Sequence, residues 1–159
     1  MNREIEIVTA RNEQMHIEIL LPMWLTYMHE IRESSTSDEL REELECRLRI
    51  SETNDNIFFE IIWSESEAVG FTFYCVDGGI RNVIPPGYGY IMEFYVAPQW
   101  RQKNIGKSCV EEIVKKLKTM GCPKIYLTSV EESEKFWKKT GFVKSDLKDP
   151  DNHLNIWFD

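Results

Sequence analysis

The spacing of apolar and polar residues along this 159-residue chain predicts a mixture of strands and helices. Residues 4–9 alternate between the two classes, which is typical of a strand with one buried face. Residues 12–32 repeat their apolar positions every three or four residues and predict a helix. Pro22 is expected to kink that helix or to mark a fresh start, because proline removes a main-chain donor.

A second helix is predicted to begin at Thr36 or Ser37. Thr36 and Glu39 have the spacing of a capping box, in which two side chains satisfy free N–H groups at a helix start. Every fourth residue from Leu40 to Leu48 is a leucine, so this helix has one apolar stripe.

The rest of the chain is richer in strands. Its predicted elements are a hairpin of strands 56–63 and 68–76, a loop over 77–89, a strand over 90–96, a helix over 105–120, a strand over 124–130, a short helix over 131–140, and strands over 142–145 and 154–158. The order strand, helix, strand between 90 and 130 predicts a parallel crossover. Together the elements predict an α+β or mixed α/β domain around one largely antiparallel sheet.

Length and composition indicate one globular domain over 1–159. Hydrophobic residues make up 42% of the chain, enough to offset the entropy lost on ordering. The formal net charge of -8 argues against nucleic acid or an anionic membrane as partner, since both need clustered Lys and Arg. No Cys-x-x-Cys pair is present, so no metal site is expected. Reduced cysteines and a charged N-terminus without an apolar signal core favour a cytoplasmic protein.

Charge is unevenly distributed along the chain. Residues 1–97 contain 7 Arg, no Lys and 18 acidic residues, whereas residues 98–159 contain 12 basic and 9 acidic residues. Residues 98–120 alone hold six bases and two acids. Positive charge is therefore concentrated in one segment of an acidic protein.

Residues 94–108 (FYVAPQWRQKNIGKS) carry the clearest chemical signal. A strand ends at a proline, a basic loop follows, and a helix begins near Gly106. The free N–H groups and the positive dipole end of such a helix can hold a phosphate or pyrophosphate. Arg101, Lys103 and Lys107 add charge-assisted contacts. Neither common glycine motif for nucleotides is present, so the segment alone predicts only an anion site.

Two motifs make the chain resemble the GNAT superfamily of N-acetyltransferases. The strand IMEFYVAP with the loop Arg101-Gln-Lys-Asn-Ile-Gly106 is similar to the family's strand and its Arg/Gln-x-x-Gly-x-Gly/Ala loop, whose amides wrap the pyrophosphate of acetyl-CoA. Downstream, Phe136-Trp-Lys-Lys-Thr-Gly-Phe142 is similar to the family's Phe-Tyr-x-Lys-x-Gly-Phe helix. The order of elements also agrees over nearly the whole chain.

The resemblance implies a GNAT-type single domain with a central mixed, mostly antiparallel, strongly twisted sheet of about 6-7 strands and about four flanking helices. It also implies an acyltransferase that moves the acetyl group of acetyl-CoA, its co-substrate, directly to an amine. The residues implied for binding CoA are Phe94, Tyr95, Val96, Arg101, Gln102, Lys103, Asn104, Ile105, Gly106, Lys107, Ser108, Ser129, Phe136 and Trp137.

Two positions depart from the family's pattern. Asn104 stands where the family usually has its first loop glycine, and asparagine tolerates left-handed backbone angles better than other residues with a side chain. Trp137 stands where many members have the Tyr that protonates the departing thiolate, and an indole N–H is not an acid near neutral pH. Because a thiol with a pKa of about 8.5 leaves without strong acid assistance, this argues against fast catalysis but not against catalysis.

Catalysis requires a group that takes the proton of the amine and a donor that stabilises the oxyanion of the thioester. Glu93 is the carboxylate best placed as the base, since it lies one residue before the bulge that the family has in this strand. It could instead be a solvent-facing charge on an alternating strand. Tyr88, Tyr90 or a chain of water molecules could also take the proton. The resemblance assigns the oxyanion to a main-chain N–H of the strand, taken at Phe94.

The resemblance also places an acceptor wall on the first two helices and their connection, and this part of the chain is acidic. A small-molecule amine, in particular a cationic one, is therefore the expected acceptor. The residues predicted to contact it are Trp24, Tyr27, Glu30 and Glu33. Dimers are frequent in the family, so a homodimer is among the expectations.

Two further classes of protein compete with the enzyme. An acyl-CoA-binding or regulatory module of the same fold, with little or no turnover, is compatible with the departures at Asn104 and Trp137. A purely structural interaction protein is the third class, and it leaves the basic loop without a purpose.

Overall fold

The computed structural model describes residues 4–31 and 35–159, so Glu33 lies outside the described residues. The elements are, in order, β1 (Ile5–Thr9), α1 (Gln14–Ile31), α2 (Ser37–Thr53), β2 (Ile57–Ser64), β3 (Glu67–Val76), β4 (Gly89–Val96), a 3-10 turn (Pro98–Trp100), α3 (Ile105–Thr119), β5 (Ile125–Thr128), a second 3-10 turn (Glu131–Ser133), α4 (Glu134–Lys139), β6 (Val143–Lys148) and β7 (Asn155–Phe158). Each predicted element is present with small shifts at its ends.

Both N-terminal helices follow from local sequence. In α1, Pro22 lies inside one continuous helix and does not divide it. Thr36 is the N-cap of α2: its hydroxyl accepts the N–H of Glu39 at 3.2 Å, as in the predicted capping box, and it donates to the Glu39 carboxylate at 3.0 Å, where a complete box would have that carboxylate accept the Thr36 N–H. The leucine stripe that begins at Leu40 is fully buried, as the four-residue spacing predicts.

In the part of the chain that the structure describes, the strands form one seven-stranded sheet in the order β1-β2-β3-β4-β5-β7-β6. The pairs β1/β2, β5/β7 and β6/β7 are antiparallel. β4 and β5 are parallel, and their ladder covers two residue pairs, Gly89↔Ile125 and Tyr90↔Tyr126. This mixed sheet with four helices among the described residues confirms the predicted fold class, including the parallel crossover through α3.

The chain folds into two compact units, one formed by Met1–Phe73 and Glu93–Ile105 and the other by Tyr74–Met92 and Gly106–Asp159. In the first unit α1 and α2 pack with the sheet around an aromatic core, and the indole N–H of Trp24 donates to the Leu40 carbonyl at 2.8 Å. The buried residues of that core are Ala10, Ile17, Leu20, Trp24, Met28, Leu40, Leu44, Leu48, Phe59, Ile61, Phe71, Phe73, Tyr95 and Ala97.

In the second unit one buried cluster joins the segment between β3 and β4 to β5 and β7. Its buried members are Ile84, Tyr126 and Ile156. Across 4–31 and 35–159, every helix is too short or too polar to cross a membrane.

Candidate active site

β4 carries one residue more than its partner strand needs. The N–H of Asp77 donates to the Tyr88 carbonyl at one end of the β3/β4 pair, and the N–H of Ala97 donates to the Val69 carbonyl at the other, both at 2.8 Å. The stretch from Tyr88 to Ala97 is one residue longer than the stretch from Val69 to Asp77. An extra residue on one strand of an antiparallel pair is a β-bulge, so β4 is bulged as the resemblance implies.

Glu93 faces the protein interior. Its side chain is 9% exposed, and one of its oxygens lies 3.5 Å from Nη2 of Arg47 on α2. The Arg47 guanidinium in turn lies 5.3 Å from the ring centroids of both Trp24 and Phe73. The interpretation of Glu93 as a solvent-facing charge is therefore wrong, because its carboxylate belongs to a shielded ion pair that joins β4 to α2.

Arg101 turns back onto the end of β4. Its Nε donates to the Val96 carbonyl at 2.7 Å, and its guanidinium lies 5.6 Å from the ring centroid of Tyr95. Burial raises the pKa of the Tyr95 phenol, the Arg101 charge partly opposes this, and the Glu30 carboxylate adds to it. Tyr95 is therefore a protonated phenol near neutral pH, and one N–H of Arg101 is used to hold the strand end.

The loop after this strand has two residues with left-handed backbone angles. Asn104 has φ 62°, as the substitution for the family's glycine predicts, and Gln102 also has φ 62°. Between them Lys103 is exposed, with its ammonium 5.3 Å from the ring centroid of Trp100. Ile105 is buried and fixes the loop to the core. Residues 101–104 thus form an exposed basic loop on a fixed base.

The left-handed angle makes position 104 sensitive to the shape of its side chain. Asn104→Val is expected to lower the free energy of unfolding by about 1–2 kcal/mol, because a β-branched residue fits this region poorly. Asn104→Gly is expected to be neutral or slightly stabilising. Thermal unfolding measures the stability of both variants. Asn56→Val, at an exposed site outside the left-handed region, is the control; equal stability of all three variants would contradict the expectation.

The start of α3 lies in the second unit from Gly106 onward. Gly106 and Ser108 are partly exposed, and Lys107 is exposed. The first turn contains no acidic residue, and the basic residues Lys116 and Lys118 lie in the last turn. The positive end of the helix dipole is therefore not neutralised by a carboxylate of that turn.

The remaining predicted CoA residues of the second unit are largely buried. Ser129 is buried and its hydroxyl donates to the Val130 carbonyl at 2.8 Å. Trp137 is 7% exposed and contacts Phe136 and Phe142 edge-on, at centroid distances of 4.9 and 5.5 Å. The Trp137 carbonyl accepts the Phe142 N–H at 3.1 Å. Trp137 thus helps to hold the end of α4. Unlike the tyrosine found here in many family members, it has no hydroxyl that could protonate the departing thiolate.

The predicted acceptor residues separate into two groups. Trp24 is fully buried and its indole N–H donates to the Leu40 carbonyl, so it is less open to a substrate than the other predicted contacts and stays an untested prediction. Tyr27 is half-buried and lies edge-on to Phe71 and Tyr95, with centroids 5.5 and 5.8 Å away. Glu30 is exposed on the same helix. Tyr27 and Glu30 remain predicted acceptor contacts.

In the second unit the segment after β3 is held in place by Asp77. Its carboxylate accepts the Tyr126 hydroxyl and, at 3.0 Å, the N–H of Gly79. Burial raises the pKa of Tyr126, and the hydrogen bond to Asp77 adds to the rise. Burial, then the Asp77 charge, raises the pKa of Cys75 to about 12. Tyr126 stacks on Tyr90 with ring centroids 4.6 Å apart. Asp77 thus orders the beginning of its loop, and Tyr90 belongs to this packed group.

Sequence reasoning missed Arg47 and Asp77. A signal existed for Arg47, because it lies one helical turn from Leu44 and next to Leu48, on the apolar stripe of α2, where a charge needs a buried partner. Asp77 had only the local signal of an Asp before two glycines, which predicts a turn and not a phenol partner 49 residues away.

The fold and the bulged strand that runs into a basic loop agree with what a family comparison finds. The model of the acetyltransferase (GNAT) family matches residues 19–142. Because that match covers most of the chain, the protein belongs to the GNAT acetyltransferase family. It is accordingly an acyltransferase with acetyl-CoA as co-substrate, which confirms the predicted family, enzyme class and co-substrate. No curated protein sequence matches the chain significantly.

Solved structures of low sequence identity share the fold. An acetyltransferase from Thermus thermophilus has a TM-score of 0.75 at 14% identity, with 100% of this chain and 99% of that chain covered. PaiA N-acetyltransferase from Thermoplasma acidophilum, in complex with coenzyme A, has a TM-score of 0.67 at 21% identity and 98% coverage of each chain. Aminoglycoside N-acetyltransferase AAC(6')-Iy, in complex with CoA, has a TM-score of 0.67 at 15% identity, covering 92% of this chain and 93% of its own.

Proposed function

We propose that this protein acetylates the amine of a small, cationic acceptor, with the pyrophosphate of acetyl-CoA on residues 101–108 and its pantetheine arm along Phe94–Val96. The observation that carries the proposal is the pair of left-handed residues, Gln102 and Asn104, in an exposed basic loop. Backbone of this kind turns N–H groups toward a common side and makes a concave anion site. The loop leads into the start of α3, whose dipole favours the same charge.

The chemistry is a direct transfer. The amine nitrogen attacks the carbonyl carbon of the thioester, the C–S bond breaks, and CoA leaves as a thiolate. A main-chain N–H of the bulged strand stabilises the oxyanion of the tetrahedral intermediate, which requires no particular side chain at Phe94. The proton of the amine passes to a base or to water.

The surroundings of Glu93 favour a route through water. Its carboxylate is 9% exposed and already lies beside the Arg47 guanidinium, so an amine reaches it less readily than a water molecule does. Of the two tyrosines named as alternative bases, Tyr90 is stacked on Tyr126 and Tyr88 lies edge-on to Phe158. We therefore assign Glu93 the role of an indirect base, which accepts the proton through a water chain.

The distribution of charge supports a cationic acceptor. Residues 1–97 contain 18 acidic residues against 7 Arg, and Glu30 is exposed on α1. One structural neighbour is named an aminoglycoside N-acetyltransferase, and aminoglycosides carry several amines. A polyamine or an aminoglycoside therefore fits the proposal better than a neutral amine does.

A CoA-binding module with little turnover is the second candidate. The observation in its favour is Trp137, which is packed between two phenylalanines and supplies no acid for the departing thiolate. The thiolate of CoA is itself a fair leaving group, so the enzyme stays the first candidate.

Two measurements separate the candidates. Calorimetric titration with acetyl-CoA is expected to give a one-to-one complex. Absence of binding would contradict both the enzyme and the CoA-binding module. Release of thiol is then followed with polyamines, aminoglycosides, amino acids and peptide N-termini as acceptors. Turnover with a cationic amine supports the enzyme, binding without turnover on any acceptor supports the module, and better turnover with neutral amines contradicts the cationic acceptor.

A cytoplasmic location is part of the proposal. Cys75, Cys109 and Cys122 are buried thiols, and Cys46 is exposed, all without a disulfide. Thiols outside disulfide bonds are typical of a reducing compartment.

A further inference from the structure

Gly70 of β3 lies against the main chain of Tyr95 and Val96 in β4. A Cβ atom built on Gly70 would overlap the carbonyl oxygen of Tyr95 and would lie 3.1 Å from both the Tyr95 carbonyl carbon and the Cα of Val96. The backbone angles of Gly70 are outside the left-handed region, so its own conformation does not call for glycine. Glycine is required here because any side chain would occupy the space of the Tyr95 carbonyl.

This contact means that the Tyr95 carbonyl is turned out of the ladder. In a regular antiparallel pair the carbonyls lie between the strands, in the plane of the sheet, while each Cβ rises above or below it. A carbonyl oxygen in the place of a Cβ therefore lies over the face of β3. Two other main-chain carbonyls of β4 accept hydrogen bonds from side chains. The Glu93 carbonyl accepts the hydroxyl of Thr72 at 3.1 Å, and the Val96 carbonyl accepts Nε–H of Arg101 at 2.7 Å.

The planarity of the peptide between Tyr95 and Val96 fixes the direction of the Val96 N–H. The carbonyl of Tyr95 and the N–H of Val96 belong to one trans peptide and point in opposite directions. Because the Tyr95 carbonyl is turned out of the sheet plane toward the Cβ position of Gly70, the Val96 N–H is turned out of that plane in the opposite direction, away from β3. The rotated peptide thereby aims one main-chain donor out of the strand pair.

We propose that Gly70 is a positioning residue for acetyl transfer, because its missing side chain lets the Tyr95 peptide rotate and point the Val96 N–H at the pantetheine arm of acetyl-CoA. The proposal rests on the proposed function, in which this strand binds acetyl-CoA. Thr72 supports the same geometry by holding the Glu93 carbonyl. Both residues act through the backbone of β4 and are not themselves catalytic.

The test compares Gly70→Ala with Gly78→Ala. A Cβ atom added at Gly78 would have nothing within 4 Å, and Gly78 has no left-handed angle, so it is a matched change in open space. We expect Gly70→Ala to lower kcat/KM for acetyl-CoA at least tenfold and Gly78→Ala to stay within twofold of the wild type. A folded Gly70→Ala protein with kcat/KM within twofold of the wild type would overturn the proposal.

A second ligand distinguishes positioning from general damage. The probe 3′-phospho-ADP contains the pyrophosphate but lacks the pantetheine arm, so its affinity for Gly70→Ala is expected to remain within twofold of the wild type. An equal loss for 3′-phospho-ADP and acetyl-CoA would overturn the proposal. If Gly70→Ala does not fold, Thr72→Val replaces it, with at least a threefold loss expected and recovery in Thr72→Ser, which restores the hydroxyl. No loss in Thr72→Val would then count against the proposal.

Failure of the proposed function has a different signature. A wild-type protein that binds no acetyl-CoA contradicts the proposed function by itself. The amide resonances of Tyr95, Val96 and Ala97 then still report on the bulge, and they are expected to shift in Gly70→Ala but not in Gly78→Ala. Unchanged resonances in Gly70→Ala would overturn the role of Gly70 independently of CoA.

Discussion

Replacing Gly106 by Trp is expected to abolish the binding of acetyl-CoA, with an affinity at least 100-fold lower, while the protein stays folded. Gly106 is the second residue of α3 and is partly exposed. A pyrophosphate on the helix start must approach the main-chain N–H groups closely, and glycine leaves that approach open. An indole at this position covers the N–H groups and keeps the pyrophosphate away from them. Charge-assisted contacts from Lys103 and Lys107 do not replace the hydrogen bonds that are lost.

The helix itself is expected to tolerate this change. Tryptophan has a higher helix propensity than glycine, so α3 is not weakened at its first turn. Thr119→Trp is the control, because Thr119 is exposed at the other end of the same helix. Calorimetry measures the affinity of both variants, and circular dichroism checks the fold. If Gly106→Trp binds acetyl-CoA as the wild type does, the assignment of the pyrophosphate to this loop is wrong.

Replacing Arg47 by Met is expected to give the largest loss of stability, about 3 kcal/mol in the free energy of unfolding. The change leaves the Glu93 carboxylate shielded from water without its guanidinium partner, and it removes a cation that lies over Trp24 and Phe73. For a chain of this length the melting temperature should fall by about 6–12 °C.

A variant that lacks both charges separates the effect of the ion pair from that of packing. The double variant Arg47→Met, Glu93→Leu removes both charges and is expected to recover most of the loss, since an apolar pair of similar size needs no partner. Arg49→Met, on the exposed side of the same helix, should change the free energy of unfolding by less than about 0.5 kcal/mol. If the double variant is no more stable than Arg47→Met, the charge of Glu93 is not the cause of the loss.

The sequence was sufficient for those features that depend on local rules. The N-cap at Thr36 and the leucine stripe of α2 depend only on residues three or four positions apart, and both form as predicted. The left-handed angle at Asn104 follows from backbone sterics at a position where the family prefers glycine. The same reasoning did not reach Gln102, because no local rule assigns a left-handed angle to glutamine.

Features that depend on contacts between distant segments were harder to predict. Trp24 is an aromatic residue on the expected acceptor wall. Its burial depends on how α1 packs against α2, and the sequence alone does not show whether its side chain faces α2 or the solvent. Glu93 alternates with apolar neighbours as a solvent-facing residue does, and only its partner 46 positions earlier, Arg47, explains its burial. Gly70 carried a general signal, since an isolated glycine inside a strand predicts a bulge or close approach of another backbone.

The order that Asp77 gives to the loop after β3 has a thermodynamic consequence. A loop whose first residues are held by the Tyr126 hydroxyl and the Gly79 N–H has already lost much of its conformational entropy when the chain folds. A ligand that contacts this segment does not have to order it, so more of its contact energy is retained as affinity. The segment is therefore expected to keep one conformation with and without ligand, and not to act as a lid whose closure follows binding.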